Sequence, residues 1–170
     1  NMLLSDKLST PYVEDLERIS ITVQNLINDA CGMFYEIDKK LKIINNLPSI
    51  TLNVDKYKLS LAIKNIIDNA IKYGSKTKLI ELQANKIDAN LKISIQDFGE
   101  GIDKNKLKKI MQPLYRGRAA KEKSSSGFGL GLAITKKIVD AHGGSLKIDS
   151  IVGKGTTFVI LIPINNEKHK

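Results

Sequence analysis

Asp55-Lys56-Tyr57-Lys58-Leu59-Ser60-Leu61-Ala62-Ile63-Lys64-Asn65-Ile66-Ile67-Asp68-Asn69-Ala70-Ile71-Lys72-Tyr73-Gly74 carries two stripes on one helical pattern. Leu59, Ala62, Ile63, Ile66, Ile67, Ala70 and Ile71 recur at three- and four-residue spacing, a broad apolar stripe that needs a core to face. Asp55 opens the pattern, and Gly74 closes it where a residue at positive φ commonly ends a helix. The spacing predicts a helix over about 55–73. The second stripe is polar: Asn65, Asn69 and Lys72 stand at i, i+4 and i+7 on one face, with Tyr73 flanking them. Asparagine lowers helix propensity and resists burial without partners. Two readings stay open, a solvated helix face or a working one. A carboxamide oxygen can ligate Mg2+, and a lysine one turn away can meet a phosphate.

On the N-terminal side, residues 1–17 show little beyond a Thr10-Pro11 break signal and look like a linker or the tail of a preceding element. Arg18 to Ile21 alternates like a strand, and Thr22 caps a helix predicted to about Tyr35, with Val23, Leu26, Ile27 and Ala30 on one face. Leu41–Ile44 and Ile50–Val54 read as short strands around Pro48. On the C-terminal side, Leu79–Ala84 and Leu91–Ile95 alternate as strands about a polar turn. A short helix follows near 103–110, then a polar loop, then a helix over about 131–142 ending at Gly143-Gly144. Leu146–Ile148 and Thr157–Ile162 finish the pattern as a strand pair around Gly153-Lys154-Gly155. Strands and helices mix without strict β-α-β alternation. The expected fold is an α+β two-layer sandwich, a mostly antiparallel sheet of about five strands with about three helices on one face.

The bulk numbers narrow the class. A chain of 170 residues with 42% apolar and 26% charged residues is composed like a globular protein, long enough for one domain with a proper core or one domain plus an appendage. No apolar run reaches the roughly 20 residues of a membrane span. One cysteine, Cys31, excludes an internal disulfide and falls in an apolar helical segment, as a small buried hydrophobe does. The net charge of +9 comes from scattered lysines, with arginine only at 18, 116 and 118 and 5% aromatic residues, so nucleic acid is not the expected partner.

Chemistry gathers in the second half, which holds ten of the twelve glycines, from 99 to 155. Asp97-Phe98-Gly99-Glu100-Gly101 follows a strand directly; its carboxylate either caps a turn or accepts from an exocyclic amine. The Asp-Phe-Gly triplet also imitates one of protein kinases, but no His-Arg-Asp loop or Val-Ala-Ile-Lys strand accompanies it. Tyr115-Arg116-Gly117-Arg118 lies in a basic loop, either simply exposed or a lid over a nucleotide. Ser124-Ser125-Ser126-Gly127-Phe128-Gly129-Leu130-Gly131-Leu132 then leads into a helix, either as a linker or as a phosphate cradle on the helix N-terminus. Neither a P-loop nor the dinucleotide-binding glycine spacing is present.

Taken in order, these pieces resemble the catalytic and ATP-binding domain of bacterial sensor histidine kinases, within the wider family of gyrase-type ATPases, Hsp90 and the MutL repair proteins. Asn65 to Tyr73 looks like the N box, Asp97 to Ile102 like the G1 box, Gly127 to Leu132 like G2 and Gly153 to Phe158 like G3. The collinear match covers about residues 19–164, leaving 1–18 as a linker or remnant of a preceding hairpin and 165–170 as a tail. The resemblance implies a sandwich with a left-handed crossover that binds ATP and Mg2+, under a mobile lid at about 112–126. It places Asn69 on the metal with Asn65 in support, Lys72 near the phosphates and Tyr73 on the adenine. Asp97 would accept from the adenine amino group beside Gly99, Gly101 and Ile102, with Thr156 supporting it through water. Tyr115, Arg116 and Arg118 would serve the lid, and Gly127, Gly129, Leu130, Gly131 and Leu132 would cradle the phosphates.

Met111 and Leu114 stand where the lid segment of the family usually carries phenylalanine. Histidine occurs only at 142 and 169, and His142, at a helix end, suits a C-terminal dipole role better than phosphoacceptance. The resemblance implies a phosphoacceptor with an acidic neighbour on a dimerisation hairpin N-terminal to this domain, expected to be absent from this chain. The implied activity is transfer of the γ-phosphoryl group to that histidine, and then service of a response regulator. The implied setting is the cytoplasmic portion of a membrane-anchored sensor, the fragment monomeric and the full-length protein a homodimer. A hydrolytic ATPase of the same fold places Glu four residues before the metal-binding asparagine; here that residue is Asn65, which cannot act as a base. The remaining alternative is a partner kinase of the anti-sigma type, or a module that binds nucleotide for regulation.

Overall fold

The computed structural model describes residues 15–32, 41–43, 47–75, 79–107, 109–112 and 130–164. Tyr115, Arg116, Arg118, Gly127, Gly129, His169 and nearly all of the expected lid lie outside the described residues. In chain order the elements are β1 (Ile19–Thr22), α1 (Val23–Gly32), β2 (Leu41–Ile43), β3 (Thr51–Val54), α2 (Lys56–Tyr73), β4 (Ile80–Ile87) and β5 (Asn90–Gln96). They continue with α3 (Lys104–Leu107), α4 (Gly131–Ala141), β6 (Ser145–Ile151) and β7 (Gly155–Pro163).

Five strands form one mixed sheet in the order β2-β4-β5-β7-β6, in which only the β2–β4 pair is parallel. β1 and β3 make a separate antiparallel ribbon, a division that local alternation does not reveal. Register lines up the core. Ala84, Ile93, Ile160 and Leu146 stand in one row across β4, β5, β7 and β6, and all four are buried. Their neighbours along β5, Lys92, Ser94 and Gln96, alternate to the other, partly exposed face. The helices cover one face: α2 contacts β4 and β5, α4 contacts β6 and β7, and α1 packs beside α2.

The apolar stripe of α2 behaves as its spacing demands, with Leu59, Ala62, Ile63, Ile66, Ile67 and Ala70 at most 1% exposed. Truncating one of its isoleucines to alanine would cost about 2–5 kcal/mol. Asp55 caps α2, its Oδ1 accepting the Lys58 N–H at 3.0 Å. Gly74 ends the helix in extended backbone, φ −72°, instead of the left-handed turn expected from sequence; a Cβ there would press on the Ala70 carbonyl. Thr22 caps α1 through the Asn25 N–H, and Val23, Leu26, Ile27 and Ala30 are buried. After α4, Gly143 takes φ +73° and donates to Asp140 O while Gly144 donates to Val139 O, the paired bonds of a glycine C-cap.

Candidate functional site

Asp97 leaves β5 where three backbone segments converge, and glycine makes the convergence possible. A Cβ on Gly99 would overlap the Tyr73 carbonyl at the end of α2, and one on Gly155 would overlap the carbonyl of Asp97 itself. A Cβ on Gly101, at φ +69°, would strike Ile151 O at the end of β6. These glycines therefore let the 97–101 loop lie flat between α2 and the β6–β7 hairpin. Asp97 N–H donates to Thr156 O at 2.9 Å, and Thr156 N–H returns to Asp97 Oδ1 at 3.2 Å. Oδ1 also accepts the Gly99 N–H at 2.9 Å. Among the described residues nothing donates to Oδ2. Asp97 is 4% exposed, and burial pushes its carboxyl above the usual range, against the two N–H donors that favour the charged form. A buried carboxylate with one oxygen saturated and the other open is an acceptor awaiting a donor.

Thr156 supports Asp97 directly through its backbone N–H; its hydroxyl lies 2.9 Å from Ser150 Oγ. Ser150 also accepts the Ile102 N–H at 2.8 Å and donates to Gly155 O at 3.0 Å. No motif singles out this serine. Only the hairpin register, which sets Ser150 opposite Thr156, could have found it.

The polar stripe of α2 is half-buried at Asn65, Asn69 and Tyr73, with Lys72 exposed. Asn65 Nδ2 donates to Gly131 O at 3.3 Å and so joins α2 to the start of α4. The carboxamide of Asn69 has no hydrogen-bond partner, and Lys72 no ion pair, among the described residues. No group of three or more His, Cys, Asp or Glu side chains able to hold a metal ion occurs there either. A cation at this site would therefore depend on neutral oxygens, water and ligand oxygens, the donor set that suits Mg2+. The start of α4 carries no side-chain cap, which leaves its first N–H groups available to an anion. Leu132 packs part-buried against the core, so of the two leucines flanking Gly131 it is committed to the interior.

His142 lies away from this site and is 0% exposed. Its Nε2 accepts the Asp55 N–H at 3.1 Å, which leaves the proton on Nδ1, 2.7 Å from Ile138 O. Burial lowers its pKa, with the Ile138 carbonyl opposing. The sequence reading of His142 as a dipole cation is corrected: the ring is neutral, and both nitrogens are engaged inside the fold.

An open sheet with helices on one face, a buried strand-end carboxylate and an uncapped helix opposite a polar helix stripe make an α+β domain with a candidate ligand site. The chain belongs to the family of histidine kinase-, DNA gyrase B- and HSP90-like ATPases, whose model matches residues 54–166. It is 36% identical over 165 residues to the sensor histidine kinase WalK of Bacillus subtilis, covering 94% of this chain and 27% of that protein. It is 36% identical over 154 residues to the sensor protein kinase WalK of Staphylococcus haemolyticus, covering 88% and 25%. The chain thus spans about a quarter of the length of these curated relatives. Among solved structures, a mycobacterial sensor histidine kinase, MprB, superposes with TM-score 0.73 at 24% identity, covering 86% of this chain and 97% of that one. Full-length ShkA in complex with AMPPNP gives 0.76 at 21%, covering 98% and 35%. At these identities the structural likeness speaks for the fold. No helix among the described residues is long and apolar enough to cross a membrane.

Proposed function

We propose that this chain is the catalytic domain of a sensor histidine kinase, binding Mg-ATP and giving up the γ-phosphoryl group to a histidine on another domain. Residues 19–164 would form the nucleotide-binding unit, with 1–18 leading in from a dimerisation hairpin, about 112–126 forming the lid and 165–170 a tail. Asp97 Oδ2 would accept the adenine amino group, and Tyr73 would pack on the base. Lys72, the N–H groups around Leu130 and Gly131, and Arg116 and Arg118 from the lid would meet the phosphates. Asn69 would offer its carboxamide oxygen to Mg2+, which when bound neutralises phosphate charge. Work on the reaction by these residues is positioning and charge neutralisation. The acceptor imidazole bonds to the γ-phosphorus as the bond to the β-bridging oxygen breaks, ADP keeps that oxygen, and the imidazole proton leaves to a base beside the acceptor.

One observation favours transfer over hydrolysis. The residue four before Asn69, where a hydrolase needs a carboxylate base, is Asn65, a neutral amide already donating to Gly131 O. His142 is an unsuitable acceptor because both ring nitrogens are engaged in the core. The proposed partners are a histidine-bearing hairpin that dimerises the full-length protein and a response regulator, on the cytoplasmic side. The test is incubation with labelled ATP and Mg2+, with and without a separately supplied histidine hairpin from a WalK relative. Acid-labile label should appear on the hairpin alone. Steady phosphate release without labelled hairpin would assign the chain to hydrolysis.

A further inference from the structure

Ser150 makes three hydrogen bonds with one hydroxyl: Ile102 N–H at 2.8 Å, Gly155 O at 3.0 Å and Thr156 Oγ1 at 2.9 Å. A hydroxyl has one proton and two lone pairs, so one assignment satisfies all three. Ser150 donates to the Gly155 carbonyl and accepts from the Ile102 N–H and the Thr156 O–H. Both carriers of the Asp97 donors are thereby held from one atom. The Gly155-Thr156 unit, whose Thr156 N–H reaches Asp97 Oδ1, is fixed from the hairpin side. The loop that brings the Gly99 N–H to the same oxygen is closed three residues later, at Ile102. The Gly153 N–H donating to Glu100 O at 2.8 Å seats the middle of that loop on the same hairpin.

We infer that Ser150 is a positioning residue for base selection: by fixing the two N–H groups that saturate Asp97 Oδ1, it keeps Oδ2 turned toward the base. This rests on the reading that Asp97 accepts the adenine amino group. With its hydroxyl fully used inside the fold, Ser150 would not bond the nucleotide itself. Its effect passes through the rotation of one carboxylate, which two donors on one oxygen restrict and a slackened loop would release.

The test compares equilibrium binding of ATP with that of purine riboside triphosphate, which lacks the 6-amino group, by titration calorimetry on the folded chain. The wild type should prefer ATP. Ser150→Ala should weaken ATP binding by about tenfold, the scale of one well-placed hydrogen bond, and leave the analogue unchanged, so the preference falls by the same factor. Ser150→Thr keeps a hydroxyl on a strand-compatible side chain and should retain the preference. Equal weakening of both nucleotides would reduce Ser150 to fold support and overturn the inference, as would an unchanged preference. Should Ser150→Ala fail to fold, Thr156→Val removes one of the three bonds; its preference should drop, and a wild-type ratio would overturn the inference. A wild type with no preference would instead strike down the reading of Asp97, and this inference with it.

Discussion

His142 and Asp55 are 87 residues apart and joined in the core, the ring Nε2 accepting the Asp55 backbone N–H at 3.1 Å. With two others it joins α2 and α4 in antiparallel register. Thr135 Oγ1 donates to Ala62 O at 3.4 Å, and Asn65 Nδ2 donates to Gly131 O at 3.3 Å. The helix whose N-terminus faces the candidate phosphate position is thus set against the helix carrying Asn69 and Lys72 along its whole length. Asp55 extends the connection to the N-terminal segment, its Oδ2 accepting the Glu17 N–H at 3.2 Å.

The His142 rung makes stability pH-dependent with a definite sign. Burial lowers the folded-state pKa of His142 below its ordinary 6.5, with Arg18 and Lys58 also opposing a charge and Asp55 favouring one. The unfolded chain therefore takes up the proton first. The stabilisation is fully present above 6.5 and is lost as pH falls toward the folded value, at up to about 1.4 kcal/mol per pH unit. The pKa of Asp55 is also lowered, burial being outweighed by the Lys58 and Glu17 bonds, so its share is lost only below 3.8. Urea midpoints should fall as pH drops below 6.5 in the wild type and flatten in His142→Leu from a lower plateau. Parallel profiles would disprove a neutral buried ring.

Asp97→Asn separates orientation from charge. The two N–H groups on Oδ1 require the carboxamide oxygen there, which turns the NH2 toward the position of Oδ2. If Asp97 accepts from the adenine amine, a donor would then face that amine, so the hydrogen bond is lost and two donors are set against each other. ATP affinity should fall by at least about tenfold, corresponding to 1.4 kcal/mol or more, while the thermal midpoint holds or rises, since a buried carboxyl of raised pKa is removed. Calorimetric affinity equal to the wild type would remove Asp97 from base recognition.

Sequence alone reveals much of the frame and less of its joints. The long period of Leu59 to Ala70 predicts α2 to within a residue, because a buried helical stripe is a local signal. Alternation finds β4 and β5 yet ends them short, since Lys86 and Ile87 pair with β5 beyond the buried stretch. The parallel pairing of β2 with β4 has no local signature at all. His142 reads as a helix-end cation because its last turn is visible in sequence and the distant Asp55 N–H is not. Ser150 is invisible for the same reason: its role exists only once β6 faces β7 and the 97–102 loop settles on both.

Two glycine substitutions divide packing from ligand contact. At Gly99 a Cβ would overlap the Tyr73 carbonyl, so Gly99→Ala should lose about 1–3 kcal/mol or more through backbone displacement. At Gly131 the added Cβ would sit 3.7 Å from Asn65 Cγ, ordinary contact, and alanine is the better helix former. Gly131→Ala should therefore keep or raise the thermal midpoint. If Gly131 lies against phosphate, the same variant weakens ATP binding in calorimetry. A stable Gly131→Ala chain with undiminished affinity would place the phosphates elsewhere.

Metal dependence gives Asn69 its test. Its carboxamide has no hydrogen-bond partner among the described residues, and no carboxylate cluster there offers an alternative cation site. A neutral oxygen adds little affinity for bare Mg2+, so its effect should surface only when ATP supplies phosphate oxygens to the same ion. In the wild type, ATP should bind more tightly with Mg2+ than with EDTA. Asn69→Ala should lower affinity in Mg2+ to near the EDTA value and leave binding in EDTA unchanged, because the side chain would then contact the nucleotide only through the metal. Loss of affinity in both buffers would mean that Asn69 holds the nucleotide or the helix directly. No loss in either would move the cation off α2.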